Sequence, residues 1–240
     1  MRRVRFVAPL AAVFVGALVP GAAHARTSPV VRQLVVFRDG TAKAKSVTAA
    51  QATVRVGRRR CVVGAGTPLA ALVRSRVAKL GLHDYGSCSR RARDAGGLYV
   101  RSIGRDKAHG QDGWVYKVGQ KLAPAGAADP SGPFGNGRLR SGAQVTWFYC
   151  RYDNSVHGCQ RTLGVTATAP GGGAITVTVK AYDDQGRAVP AAGATVHAGS
   201  ATATTDANGS ATLTVAPGGY DVFADEAGRV RSQPVRTKVG

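Results

Sequence analysis

The amino-acid sequence predicts a mainly β protein, an α+β unit with a single helix followed by an all-β sandwich. Three observations lead there. Most apolar segments are short, alternate with a period of two and end in Gly, Pro, Asn or Asp, the pattern of strands and turns. Only one segment carries a convincing helical period. Positive charge and cysteine both concentrate in the first part of the chain: residues 26–162 hold 24 Lys plus Arg, 7 Asp plus Glu and all four cysteines, whereas residues 163–240 hold 6 of each sign and no cysteine. Two units of different chemistry follow, with a boundary near Arg161.

The helix begins with Thr67 as N-cap and Pro68 in the first turn, and the pattern predicts its end at Gly81. Leu69, Leu72, Val73, Val77 and Leu80 share one face. Strands are expected at Leu98–Ile103, Gly113–Val118 and Gln144–Cys150, with shorter ones at Thr53–Val56 and Cys61–Val63. Val118-Gly119-Gln120-Lys121 reads as a type II′ hairpin, because Gly tolerates positive φ at the first central position. Pro124 to Gly137, rich in Pro, Gly and Ala, reads as a surface loop or flap. In the second unit, strands are expected at Val165–Ala169, Ile175–Ala181, Ala194–His197, Ala201–Thr205, Ser210–Val215, Tyr220–Ala224 and Val230–Val239.

The N-terminus supplies the compartment. Arg2, Arg3 and Arg5 precede an apolar run from Phe6 to Val19, and Ala23-His24-Ala25 offers a small-residue cleavage site, so residues 1–25 read as a secretory signal peptide. The run is shorter than the roughly 20 residues a spanning helix needs, and no second apolar segment follows. A secreted or extracellular protein, at most loosely associated with the cell surface, is expected. Residues 26–45 then form a lead-in. Four cysteines in an exported chain imply two disulfides, with three possible pairings. Cys150 and Cys159 flank a short polar segment suited to a stapled loop, which leaves Cys61 with Cys88; the chain-entropy relation assigns about 2.7 and about 3.6 kcal/mol to these closures.

The runs Thr67-Pro68-Leu69-Ala70-Ala71-Leu72, Gly113-Trp114-Val115-Tyr116-Lys117-Val118 and Leu139-Arg140-Ser141-Gly142-Ala143-Gln144-Val145-Thr146-Trp147-Phe148-Tyr149 resemble a bacterial domain of unknown function related to the C-terminal domain of transcobalamin. The resemblance covers about residues 46–152, within a unit of residues 46–162, and implies a β-grasp-like fold. Two positions depart from that family's pattern: Gly119-Gln120 stands for Asn-Gly in the hairpin, and Ser141-Gly142-Ala143 for Gly-Asp. The corrinoid ligand of transcobalamin-like proteins is held from its other side by a helical barrel, and only about 20 residues separate the signal site from the first strand here. Residues 163–240, through Ala194-Thr195-Val196, Thr205-Asp206-Ala207-Asn208-Gly209-Ser210-Ala211 and Pro217-Gly218-Gly219-Tyr220-Asp221-Val222, are similar to Ig-like or prealbumin-like modules of bacterial surface proteins, which implies an Ig-like β-sandwich used as a spacer.

No catalytic constellation, metal site or cofactor is expected. His83-Asp84 with Ser87 lacks an activating turn, and Asp106, His109 and Asp112 present fewer carboxylates than a hard-cation loop needs. Two candidate surfaces remain. Arg58, Arg59 and Arg60 run into Cys61, while Arg90, Arg91 and Arg93 follow Cys88; if those cysteines pair, six arginines gather around one staple and suit an anionic partner. Trp114 with Tyr116, and Trp147 with Tyr149, each share a strand face and form either core or a small-ligand groove. The expected function is a non-enzymatic binding or interaction protein engaging a cell-envelope polyanion or acidic lipid headgroups rather than nucleic acid. A small-ligand module for a corrinoid-like compound and a secreted hydrolase are the alternatives. Signal cleavage sets the first prediction: intact mass of the secreted protein should start at Arg26, and retention of residues 1–25 would contradict export.

Overall fold

The computed structural model describes residues 27–240, so the predicted signal peptide lies outside the described residues. Eighteen strands and one α-helix make a mainly β protein. The N-terminal half contains β1 (Val30–Val36), β2 (Ala42–Thr48), β3 (Ala52–Val56), β4 (Arg59–Val63), α1 (Pro68–Ser75), β5 (Leu80–Asp84), β6 (Leu98–Ile103), β7 (Asp106–Lys107), β8 (Gly113–Val118), β9 (Lys121–Leu122) and β10 (Gln144–Cys150). The C-terminal half contains β11 (Thr162–Gly171), β12 (Ala174–Tyr182), β13 (Ala188–Pro190), β14 (Thr195–Ala198), β15 (Ala201–Thr204), β16 (Ser210–Thr214), β17 (Gly218–Asp225) and β18 (Val235–Val239). Among the described residues, no helix is long and apolar enough to cross a membrane.

A five-stranded sheet in the order β2-β1-β10-β8-β9 organises the first half. β1 runs parallel to β10, with Val35 beside Trp147, and the other pairs are antiparallel. One face packs against α1 and the hairpins β3–β4 and β5–β6, forming a core that includes Val31, Val35, Leu69, Leu72, Ile103, Trp114 and Trp147. The stretch expected as a lead-in therefore contributes a central strand. Its sequence, Val-Val-Arg-Gln-Leu-Val-Val, hides this because both faces are covered and the period-two signal is lost.

Thr67 caps α1 by accepting from the Ala70 N–H at 3.2 Å, and its own hydroxyl donates to the Gly64 carbonyl at 2.8 Å. The predicted end at Gly81 is corrected to Ser75. Arg76 adopts φ 51°, and β2 takes over the last carbonyls: Lys45 Nζ donates to Ser75 O at 3.0 Å and Lys43 Nζ to Val77 O at 2.9 Å. Freed from the helix, Leu80 and Leu82 enter β5 and pair with β6. The β8–β9 hairpin turns at Gly119-Gln120 with positive φ at Gly119 alone, as a type II′ turn requires. Pro124–Gly137 is an ordered loop, closed by bonds such as Gly137 N–H to Ser131 O at 2.8 Å, and Ala127 O accepts the Leu69 N–H at 2.8 Å.

In the second half, two four-stranded sheets, β11-β12-β13 with β16 on β12 and β15-β14-β17-β18, enclose a core of Ile175, Val177, Val179, Val196, Val222 and Ala224. The expected strand from Val230 shrinks to Val235–Val239, because Val230 leaves the sandwich to pair with Thr162 and to enter a third cluster with Leu34, Val36, Phe148 and Cys150. That cluster lies on the opposite face of the five-stranded sheet. The C-terminal half thus covers what would otherwise be the sheet's wet side.

Lys117 marks the junction. On β8 it points away from Trp114 and Tyr116, and its side chain is 1% exposed. Its ammonium donates to Thr162 Oγ1 at 3.1 Å, Tyr182 O at 3.2 Å and Asp183 O at 2.8 Å, and lies 3.6 Å from Asp184 Oδ1. Burial pulls the Lys117 pKa below its ordinary value, and Asp184 opposes that shift. Gln233 adds a second tie, its amide donating to Val145 O at 3.1 Å and Thr146 Oγ1 at 3.2 Å. The boundary expected near Arg161 falls at this packed junction, with Thr162 3% exposed. Lys117→Ala should destabilise the whole protein by about 3–5 kcal/mol, since removing one member of a buried pair strands the other. Denaturant unfolding followed separately by tryptophan fluorescence, which reports the first half, and by a probe in the second half should show both transitions shifting together.

Candidate functional site

Cys61 pairs with Cys88 at a Cα separation of 5.3 Å, and Cys150 with Cys159 at 5.2 Å, leaving no free cysteine among the described residues. The first bridge joins β4, whose Cys61 is fully buried, to the loop after β5. A backbone bond from Val62 N–H to Ser89 O at 2.8 Å aligns the two segments. Arg58, Arg59, Arg60, Arg90, Arg91 and Arg93 are all exposed around this staple. The register adds one arginine that sequence inspection missed: Arg55 on β3 stands directly opposite Arg60. Only a cross-strand alignment reveals it, because Arg55 is six residues before Cys61.

Carboxylates are scarce there. Arg59 Nη1 lies 3.6 Å from Asp84 Oδ2, and Arg93 Nε lies 3.8 Å from Asp94 Oδ1. Both carboxylates serve the local backbone or side chains first. Asp84 accepts from the Gly86 and Cys88 N–H groups at 3.0 Å each, and Asp94 from the Ser89 hydroxyl at 2.5 Å. Arg55, Arg58, Arg60, Arg90 and Arg91 have no ion-pair partner among the described residues. A guanidinium with free N–H groups keeps its capacity for bidentate bonds to phosphate or carboxylate.

The four aromatic candidates take a different place. Trp114, Tyr116, Trp147 and Tyr149 are each 5% exposed or less. They form adjacent cross-strand pairs, Trp114 with Tyr149 at 5.9 Å between ring centroids and Tyr116 with Trp147 at 5.0 Å. Trp114 Nε1 donates to Asp106 O, Tyr116 Oη to Ala125 O and Tyr149 Oη to Lys107 O. Beside Tyr116 and Trp147 remains an apolar cleft of about 180 Å³ under the Ala123–Ala127 segment, below the roughly 300–1,000 Å³ typical of small-molecule pockets.

The acidic groups singled out in the sequence serve the backbone around them. Asp106 Oδ2 accepts from Arg38 N–H and Asp112 Oδ1 from Tyr152 N–H, while His109 bridges Asp112 through backbone bonds. No group of three or more His, Cys, Asp or Glu among the described residues could hold a metal ion. Compared with known protein families, curated proteins and solved structures, the chain matches none.

Burial raises the phenol pKa of Tyr99, Tyr116 and Tyr149 above the ordinary 10.0. A phenol raised in the folded state keeps its proton longer than in the unfolded chain. Its stabilising contribution is complete below pH 10.0 and is lost as pH climbs through the folded value. Lys117 acts oppositely between its lowered value and 10.5, as one amine against three phenols. Stability should therefore fall above about pH 10. Ultraviolet titration should show Tyr99, Tyr116 and Tyr149 ionising late, together with unfolding.

Proposed function

We propose that this is a secreted or cell-surface-associated, non-catalytic binding protein that engages an anionic envelope polymer through the arginine cluster around Cys61–Cys88. One observation carries the reading: the staple gathers seven exposed arginines, five of them without an ion-pair partner among the described residues. Like charges so arranged repel one another within a screening length of about 8 Å at physiological salt. An anionic chain relieves that repulsion, so binding strengthens as salt falls. Two disulfides in the fold support an oxidising compartment, and that favours envelope polymers over nucleic acid.

The single helix on a mixed five-stranded sheet also supports reading the first half as transcobalamin C-terminal-like. The paired four-stranded sheets support an Ig-like spacer in the second. A corrinoid function draws no support from the 180 Å³ cleft beside Trp147.

Replacing Arg59, Arg60, Arg90 and Arg91 together by Ser should weaken binding to a polyanion such as heparin or teichoic acid roughly a hundredfold, from about 0.5–1 kcal/mol per exposed charge contact. A control with Arg32, Arg105, Arg140 and Lys238 changed to Ser removes the same charge elsewhere. Titrations at several salt concentrations compare them. Equal losses in both variants would mean that net charge alone, and no defined cluster, attracts the polymer.

A further inference from the structure

Beside the arginine cluster, the outer face of the β5–β6 hairpin carries an aromatic group of which the sequence singled out only His83. His83 and Tyr99 are cross-strand partners, and Arg101 lies two residues along the same face of β6. Tyr85 follows β5 directly. Its ring centroid stands 4.3 Å from that of His83 and 6.2 Å from that of Tyr99. At 77% exposure it is the most exposed large apolar side chain among the described residues. These rings, with Arg101, Ala108 and His109, line a shallow cleft of about 310 Å³ that no carboxylate lines.

The platform is held firmly. Tyr85 N–H donates to Gly97 O at 2.9 Å, and Asp84 accepts from Gly86 and Cys88. Gly86 and Gly97 pass so closely that a Cβ on Gly97 would come within 2.6 Å of the Gly86 nitrogen. Ala108 N–H, bonded to Arg101 O at 2.9 Å, fixes the cleft's far wall. Asp84 links the two surfaces, because the residue between His83 and Tyr85 is the one that faces Arg59.

We propose that the cleft binds the sugar rings of an acidic polysaccharide, with Tyr85 and Tyr99 stacking on pyranose faces while Arg101 and the neighbouring arginines take its carboxylates. This rests on the reading of the arginine cluster given above and names the class of polymer. A pyranose presents one face of C–H groups, which an exposed aromatic ring covers. A tyrosine does so at low entropic cost while keeping its hydroxyl free for a sugar oxygen. A chain of bare phosphates offers the rings nothing to cover. A lipid surface would favour projecting apolar side chains over a concave site with polar-tipped rings. Single-stranded nucleic acid could also stack on the rings, so it is one arm of the test.

The full-length protein is titrated with polygalacturonate, its methyl-esterified neutral form, polyphosphate, single-stranded DNA and phosphatidylglycerol vesicles. Tyr85→Ala, Tyr85→Phe and Arg101→Ser are compared with the wild type, with melting temperatures confirming that each folds. Polygalacturonate should bind about two- to tenfold more tightly than polyphosphate at equal charge, the order expected for one stacked ring. Tyr85→Ala should abolish that advantage without changing polyphosphate binding, Tyr85→Phe should keep it, and Arg101→Ser should lower affinity for the acidic form only. If Tyr85→Ala leaves polygalacturonate binding unchanged while the quadruple arginine variant loses it, the cleft is not a sugar site and the arginine reading stands. Binding to no polyanion at all overturns both. Stronger, Tyr85-dependent binding to DNA or to vesicles overturns the polysaccharide assignment.

Discussion

The middle of the five-stranded sheet, β10 with most of β1 and β8, has no face left for water, and the rest of the molecule is arranged around that constraint. α1 and two hairpins cover one side, and the C-terminal sandwich covers the other. β10 is consequently buried along its whole length apart from Gln144. A lysine on the covered side must then be held by acceptors, since an ammonium without partners would cost several kcal/mol in such a site. Thr162, Tyr182 and Asp183 supply the acceptors and Asp184 the countercharge, all from the second half. Because those bonds are directional, they fix where the sandwich sits on the sheet more tightly than apolar contact could. Asp184 extends the arrangement, its second oxygen accepting from Cys159 N–H at 3.0 Å, so the Cys150–Cys159 loop is anchored at the same junction.

Covering both faces leaves the arginine cluster and the exposed aromatic rings at the periphery. The β3–β4 and β5–β6 hairpins stand outside the five-stranded sheet as separate small sheets. β3–β4 needs a lateral tie, since a lone two-stranded hairpin is marginal in water, whereas β7 adds a third strand to β5–β6. Cys61–Cys88 supplies that tie, connecting the hairpin that carries arginines to the loop that joins β5 to β6. One covalent bond thereby stabilises both hairpins and brings a charged surface next to an aromatic one.

Sequence and structure diverge where side-chain partners are remote. The start of α1 was legible because Thr67 and Pro68 act within one turn, and the disulfide pairing followed from spacing and compartment. The end of α1 was not, because Lys43 and Lys45, some thirty residues earlier, receive its carbonyls. β2, Ala-Lys-Ala-Lys-Ser-Val-Thr, carries little apolar signal and forms because β1 offers it an edge. Lys117 is buried only because the sandwich docks over it, which nothing local in the sequence indicates. The six arginines were legible as a conditional cluster. Arg55 and Tyr85 were not, since their membership depends on cross-strand register and on a turn that no local pattern specifies.

Net charge by itself would not distinguish a diffuse basic protein from one with a defined site, since surplus arginine on a surface can spread until repulsion is small. Here it cannot spread. The staple holds the Cα atoms of Cys61 and Cys88 5.3 Å apart, Arg60 faces Arg55 across a ladder, and the two nearby carboxylates are committed to the backbone of their own loop or to Ser89. Asp84 in particular spends its oxygens on Gly86 and Cys88, which shape the turn presenting Tyr85. The acid that faces Arg59 at 3.6 Å is thus the one that also builds the aromatic platform. One carboxylate thereby serves both surfaces, while Arg55, Arg58, Arg60, Arg90 and Arg91 have no ion-pair partner among the described residues.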